Sequence, residues 1–203
     1  PSFATDGNPI GPSGLRSKTL RALFFRRLES LHRPDTAIRA VAAAVKQDGD
    51  IHLTLAGFQM SAYQNELETL AKELGVSACI TWSGSPENEE LLYLYRNHDV
   101  FLFPSRIIEG LGAVNCEALS CGLPIIGTAH SGSAEVILEG VTGFRVLKDD
   151  HSAMSDRLLY LDKNREVLEE MSGRVTEFAR RFYWTQVISQ FEAEMRRILV
   201  EGS

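Results

Sequence analysis

At 203 residues the chain has room for one large domain or two small ones, since domains run to roughly 100–200 residues. Its 44% hydrophobic and 24% charged fractions exclude a disordered or low-complexity chain, and 16 glycines with 7 prolines exclude collagen-like sequence. A formal net charge of -6, with no block of Lys or Arg, argues against a protein that tracks nucleic-acid phosphates.

Residues Pro1 to Ser17 are rich in Gly, Pro and Ser and read as a linker or N-terminal arm. Leu20 to Phe25 is a short apolar run of β type. Pro34 opens a helix, at a position where its missing N–H is harmless. Ile38, Val41, Ala42 and Val45 give that helix one buried stripe at i, i+3, i+4, i+7. Ile51 to Ala56 reads as a strand ended by Gly57, and a helix covers about Ala62 to Leu74, stopping at Gly75. Val76 to Trp82 reads as a third strand, Glu87 to Arg96 as a helix, and Val100 to Phe103 as a strand ended by Pro104. Ala113 to Cys121 reads as helix, Pro124 to Gly127 as strand, Ala134 to Leu138 as a short helix and Gly143 to Leu147 as a last edge strand. From Ser152 onward the pattern is helical only, ending in a stripe of Val187, Phe191, Met195 and Ile198.

Strands alternating with helices across short loops indicate βαβ units and a parallel sheet. The strands are continuous apolar runs, as expected where helices cover both faces. The fold class is therefore α/β: a Rossmann-like parallel sheet spanning 18–150, with helices 151–203 as a C-terminal tail packed on the same domain. Three cysteines, Cys79, Cys116 and Cys121, form no C-x-x-C pair, which points to reduced thiols in the cytoplasm rather than a disulfide scaffold or zinc knuckle. The longest apolar stretches fall far short of a bilayer span, and the start has no signal-peptide pattern. Because the chain begins with Pro1, a cut from something longer is expected.

In an open parallel sheet the ligand crevice lies at the carboxyl ends of the strands. The most unusual loop there runs from Pro104 to Gly112, straight into Ala113 to Cys121. Gly110 and Gly112 would let backbone N–H groups approach a ligand at a helix N-terminus, a place that favours negative charge. The same G-x-G is equally an ordinary turn. Glu117 sits among small or apolar neighbours, and a covered carboxylate needs hydrogen bonds. Two ribose hydroxyls would supply them, and so would a neighbouring loop that Glu117 caps; the residue alone does not choose.

Joined as E-G-L-G-x-x-x-x-E-A-L-x-x-G-x-P-I-I, Glu109 and Glu117 form a far more specific pattern. It resembles the signature of the retaining nucleotide-sugar glycosyltransferases of family 4, or group 1, which have the GT-B fold. The resemblance continues through Ser131 to Ile137 and Gly140 to Phe144, and upstream through Phe25-Arg-Arg-Leu28 with Arg33-Pro-Asp35, Trp82-Ser-Gly84 with Leu91 to Tyr95, and Asp99 to Ser105. It covers about Leu20 to Leu147.

The resemblance implies that this is the C-terminal, donor-binding half of a GT-B hexosyltransferase using a UDP- or GDP-sugar. It implies that Glu109 reaches hydroxyls of the donor sugar and that amides around Gly110, Leu111 and Gly112 touch sugar and distal phosphate. Glu117 would hold the ribose, Arg27 the diphosphate, and the loop of Ser83, Gly84, Ser85 and Pro86 the base. Glu109 and Arg27 would be the catalytic pair. Where the family places a Lys five or six residues after Arg27, this sequence has His32 and Arg33; Arg33 would supply the second positive charge for phosphate, or is simply a solvated residue before Pro34. The resemblance implies no metal and no other cofactor. The acceptor would be held by a missing N-terminal half, through which alone any peripheral membrane association would arise. No nucleic-acid partner is expected.

Rival readings divide on the residues. A dinucleotide-binding oxidoreductase would need a third glycine where Asn115 stands, and no P-loop is present. A GT-B nucleotide-sugar epimerase shares the scaffold but is disfavoured by the spacing of Glu109 and Glu117. A non-catalytic nucleotide-binding module stays open on the residues alone.

Overall fold

A computed structural model describes residues 18–58, 61–108, 110–130 and 132–201. The expected linker at 1–17 lies outside the described residues, as do Glu109 and Ser131. Six strands form one parallel sheet: β1 (Leu20–Phe25), β2 (Ile51–Ala56), β3 (Ile80–Trp82), β4 (Val100–Phe103), β5 (Ile125–Thr128) and β6 (Gly143–Val146), in the order β3-β2-β1-β4-β5-β6. The central strands are mostly apolar because both their faces are covered, with Arg21 of β1 the charged exception. In β4 all four residues are buried. Leu20, Leu23, Phe24, Phe101 and Leu102 have no exposed surface.

The crossover helices are α1 (Pro34–Val45), α2 (Ser61–Glu73), α3 (Asn88–Arg96), α4 (Ala113–Ser120) and the short α5 (Ser133–Val136). The chain leaves β1 toward β2 in one direction and β4 toward β5 in the other. Right-handed crossovers therefore place α1 and α4 on opposite faces. Pro34 starts α1 as expected, and Ile38, Val41 and Ala42 form its buried side. The tail comprises α6 (His151–Lys163), α7 (Arg165–Ala179) and α8 (Trp184–Glu201). Asp150 caps α6 by accepting from the amide of Ala153 at 2.8 Å. α6 packs on α1, and α7 on α4. A hydroxyl bond from Ser172 to the carbonyl of Gly122, 2.6 Å, pins α7 to the turn after α4. α8 behaves differently from the rest of the tail: Val187, Phe191, Met195 and Ile198 are exposed.

Several element boundaries depart from expectation by a residue or two, among them α5, which ends at Val136 rather than Leu138; two departures have a visible cause. Val76 to Trp82 is not one strand: Ser77–Cys79 is a single turn of 3-10 helix, and only Ile80–Trp82 pairs with β2. The amide of Cys79 bonds back to the carbonyl of Val76 at 2.9 Å, so the turn takes a donor that a ladder would need. β5 is shifted by one residue, starting after Pro124 and ending on Thr128. The carbonyl of Pro124 accepts from the amide of Phe101, while its lack of an N–H keeps it at the strand entrance.

At the amino ends of the strands, Asp99 is buried and takes three bonds from Arg21: from the amide at 2.9 Å, from Nε at 3.2 Å and from Nη2 at 3.0 Å. This joins β1 to β4 at the base of the central crevice, leaving the carboxyl ends for the loops.

Candidate functional site

Strand order reverses direction between β1 and β4, so the crevice at their carboxyl ends is where an open α/β sheet takes a ligand. Its walls are the loop 26–33 after β1 and the loop 104–112 after β4. The amide of Arg26 bonds the carbonyl of Ala56, and the amide of Leu28 that of Phe58, so the turn after β1 is fastened to the end of β2. Gly57 makes this approach possible. Its φ is 132°, and a Cβ there would stand 1.8 Å from the carbonyl oxygen of Arg26. Its amide in turn bonds the carbonyl of Gly84 at 2.6 Å, drawing in the loop after β3.

These fastenings leave Arg27 exposed on a cleft of about 440 Å³ shared with Leu28, Glu29 and Phe58. An adjoining cleft of about 470 Å³ reaches Ser85, Val114 and Arg26. Ser83 and Pro86 instead line a separate cleft of about 510 Å³ with Tyr93, so the expected base loop divides between two hollows. A cleft of about 550 Å³ between α1 and α2 is lined by Asp35, Glu66 and Glu73 together with Arg39. Three carboxylates against one guanidinium disfavour a diphosphate there.

On the other wall, Gly112 enters α4 with φ 75°, and Asn115 Nδ2 donates to the carbonyl of Leu111 at 2.9 Å. The loop after β5 braces this segment from behind: a Cβ on Gly132 would stand 2.4 Å from the carbonyl carbon of Gly110. Gly110 is exposed, while Leu111 and Gly112 are half-buried. Glu117 follows on α4, half-buried, and its Oε2 accepts from the hydroxyl of Tyr95 at 3.0 Å. Burial pushes the Glu117 carboxyl above its usual range, and the Tyr95 bond opposes that shift. A carboxylate has room for further donors beyond one hydroxyl.

Arg33 stands differently from the expectation that it supplies a second positive charge for phosphate. Its Nη2 is 2.9 Å from Asp35, its Nε is 2.9 Å from Asp149 and 3.2 Å from the Thr36 hydroxyl. Asp149 also takes a two-pronged contact from Arg106, and the paired guanidinium holds its carboxyl below the usual range. This cluster ties three loops together. His32 is buried with Nε2 3.0 Å from Glu29. The residue that sequence reasoning passed over is Arg26, whose guanidinium lies over the ring of Phe103, 5.1 Å from its centroid, at the mouth of the crevice. The doubled Arg of Phe25-Arg-Arg was the available signal.

Among the described residues no group of three His, Cys, Asp or Glu side chains is placed to hold a metal ion. No helix among them is long and apolar enough to cross a membrane. All three cysteines are free thiols.

A Rossmann-like half-domain is thus defined, with a cationic turn and a glycine-led helix facing each other across the crevice. Within that class the chain belongs to the group 1 glycosyl transferases, whose family model matches residues 10–181. The D-inositol 3-phosphate glycosyltransferase of Actinosynnema mirum is 30% identical over 178 residues, 84% of this chain and 42% of that protein. Its namesake from Mycolicibacterium smegmatis is 30% identical over 190 residues, 92% of this chain and 42% of that protein. The chain therefore spans about 42% of the length of these relatives. In fold it is similar to Anabaena HepE in complex with UDP and glucose, with a TM-score of 0.78 and 20% identity over 89% of this chain and 48% of that one. The pneumococcal O-GlcNAc transferase GtfA in complex with UDP and GlcNAc gives 0.80 and 21%, over 95% of this chain and 38% of that one.

Proposed function

We propose that the chain is the donor-binding half of a retaining glycosyltransferase that moves a hexosyl group from a nucleotide sugar to an acceptor held by a second half. The observation that carries this reading is one cleft at the switch point of the sheet, lined by Arg26 and Arg27 of the turn after β1 and by Val114 of α4, with Glu117 three residues further along that helix. In this reading a diphosphate lies on the turn after β1 and a ribose on α4. Breaking the bond from the anomeric carbon to the diphosphate develops positive charge on the sugar and negative charge on the leaving oxygen. Arg27, with Arg26 beside it, and the amides leading into α4 stabilise that negative charge, commonly a large part of catalysis. Glu109 takes hydroxyls of the sugar. The mechanism calls on no metal.

UDP in the HepE and GtfA complexes supports a uridine donor as the first to try, with GDP as the alternative. A cytoplasmic location belongs to the same proposal, because three cysteines with no C-x-x-C pair suit a reducing compartment. The test is incubation of the whole gene product with UDP- and GDP-hexoses and candidate acceptors, following nucleoside diphosphate release and the anomeric configuration of the product by NMR. Retained configuration in wild type, with Glu109→Ala impairing use of nucleotide sugar while leaving free diphosphate bound, is the expected result. An inverted product, or release of nucleotide without a transferred sugar, overturns it.

A further inference from the structure

Tyr95, near the end of α3, has no exposed surface. Its ring meets Phe25 edge-on at 6.2 Å and Phe101 at 5.9 Å, so the side chain is wedged between the ends of β1 and β4. Phenylalanine would fill that apolar volume equally well. The hydroxyl is what distinguishes tyrosine here. It lies 3.0 Å from Glu117 Oε2 and 3.5 Å from the carbonyl oxygen of Val114, two acceptors one turn apart on α4. The hydroxyl has a single proton, and the shorter, charged acceptor takes it.

We propose that Tyr95 is a positioning residue for the candidate sugar-nucleotide site, fixing the Glu117 carboxylate in the orientation that accepts the ribose hydroxyls. This rests on the reading of Glu117 as the ribose acceptor. With Oε2 tied to a ring that cannot move, the carboxylate keeps one rotamer, and its remaining lone pairs meet the diol without prior ordering. The same bond helps keep Glu117 ionised against its own burial. The other ionisable groups around the pair are Cys116 and Cys121 beside Glu117 on α4. Arg26 faces Tyr95 from the loop after β1, while Arg96 of α3 and Tyr183 beyond α7 face Cys121. Deleting the hydroxyl therefore frees the rotamer and makes Glu117 easier to protonate, and a protonated carboxyl accepts less well from the ribose.

The test measures binding of UDP and of 2′,3′-dideoxyuridine diphosphate by calorimetry to wild type, Tyr95→Phe, Glu117→Gln and the double variant, with melting curves confirming that each is folded. Wild type should prefer UDP by about tenfold or more, the scale of hydrogen bonds to a charged group. Tyr95→Phe should cut that preference about threefold or more while leaving affinity for the dideoxy ligand nearly unchanged. In the Glu117→Gln background the Tyr95 substitution should have no further effect. The acid limb of UDP affinity should also move to higher pH in Tyr95→Phe. A full ribose preference in Tyr95→Phe overturns the positioning role, and so does an equal loss for both ligands. A wild type with no preference for UDP refutes the Glu117 reading itself, and the positioning role falls with it.

Discussion

His98, between α3 and β4, supplies a pH dependence that can be worked from its contacts. The ring is buried, with Nδ1 2.6 Å from the carbonyl oxygen of Leu94 and Nε2 2.8 Å from the hydroxyl of Thr54. A carbonyl can only accept, so Nδ1 carries the proton and Nε2 of the neutral ring accepts from Thr54. Burial pushes the imidazole pKa down to about 4, outweighing the Leu94 bond and the nearby Asp99 that favour the charged form; Arg21 and His52 act in the same sense as burial. In the unfolded chain the ring titrates near about 6.5. Below that value the unfolded state binds a proton that the folded state refuses, so stability is lost as pH falls from about 6.5 toward about 4. Between about pH 8 and about pH 5 the loss from this one group is ~2 kcal/mol. Urea unfolding of wild type and His98→Gln at both pH values isolates it. The variant will be weaker at pH 8 through lost packing, but its further loss on acidification should be smaller than wild type by about that amount. Equal losses in the two proteins would mean that His98 titrates in the folded state as it does in water, and the burial argument would be wrong.

Other substitutions probe the crevice and its base. Arg27→Ala should weaken diphosphate binding far more than nucleoside binding, and added salt should weaken the wild-type interaction as well; equal losses for nucleoside and diphosphate would instead indicate a collapsed site. Gly132→Ala places a methyl group against the backbone of Gly110, 2.4 Å away, so affinity for nucleotide sugar should fall while the melting temperature changes little. A large drop in melting temperature would show the loop to be part of the core. Asp99→Ala removes the buried carboxylate that takes three bonds from Arg21, whose side chain is partly exposed, and should cost about 1–3 kcal/mol in urea unfolding, the range for leaving a covered donor unpaired; a loss below about 0.5 kcal/mol would show the pair to be solvated.

Where apolar runs are long, as in Val100–Phe103 and in Leu20–Phe25 apart from Arg21, burial on both faces leaves no ambiguity, and those strands fall where the sequence puts them. The parallel sheet follows from the alternation of strands and helices, whereas its order, β3-β2-β1-β4-β5-β6, is visible only in the fold. Val76 to Trp82 looked like a strand because apolar and polar residues mix without a marked turn residue; the local bond from Cys79 to Val76 is invisible to composition. The stripe on α8 was legible as a pattern, yet periodicity does not say what, if anything, covers it. At the site, the spacing of Glu109 and Glu117 and the glycines around them carries the family, because a pattern joined over so many positions is far more specific than a lone G-x-G. For Arg33 the charge is plain in the sequence, but its ion pair with Asp149, 116 residues away, is visible only in the fold. Tyr95 was missed for the matching reason, as its link to Glu117 spans 22 residues and two helices.

The central claim is that the crevice between β1 and β4 binds a nucleoside diphosphate by the two walls described. Titration of the chain with UDP, followed by backbone-amide NMR, tests it most directly. The account predicts weak, saturable binding with shifts gathered on 26–29, 83–85 and 112–117, while amides lining the cleft between α1 and α2 stay still. Shifts centred on Tyr63 and Glu66 in that second cleft, or no saturable shift at any UDP concentration, would contradict it.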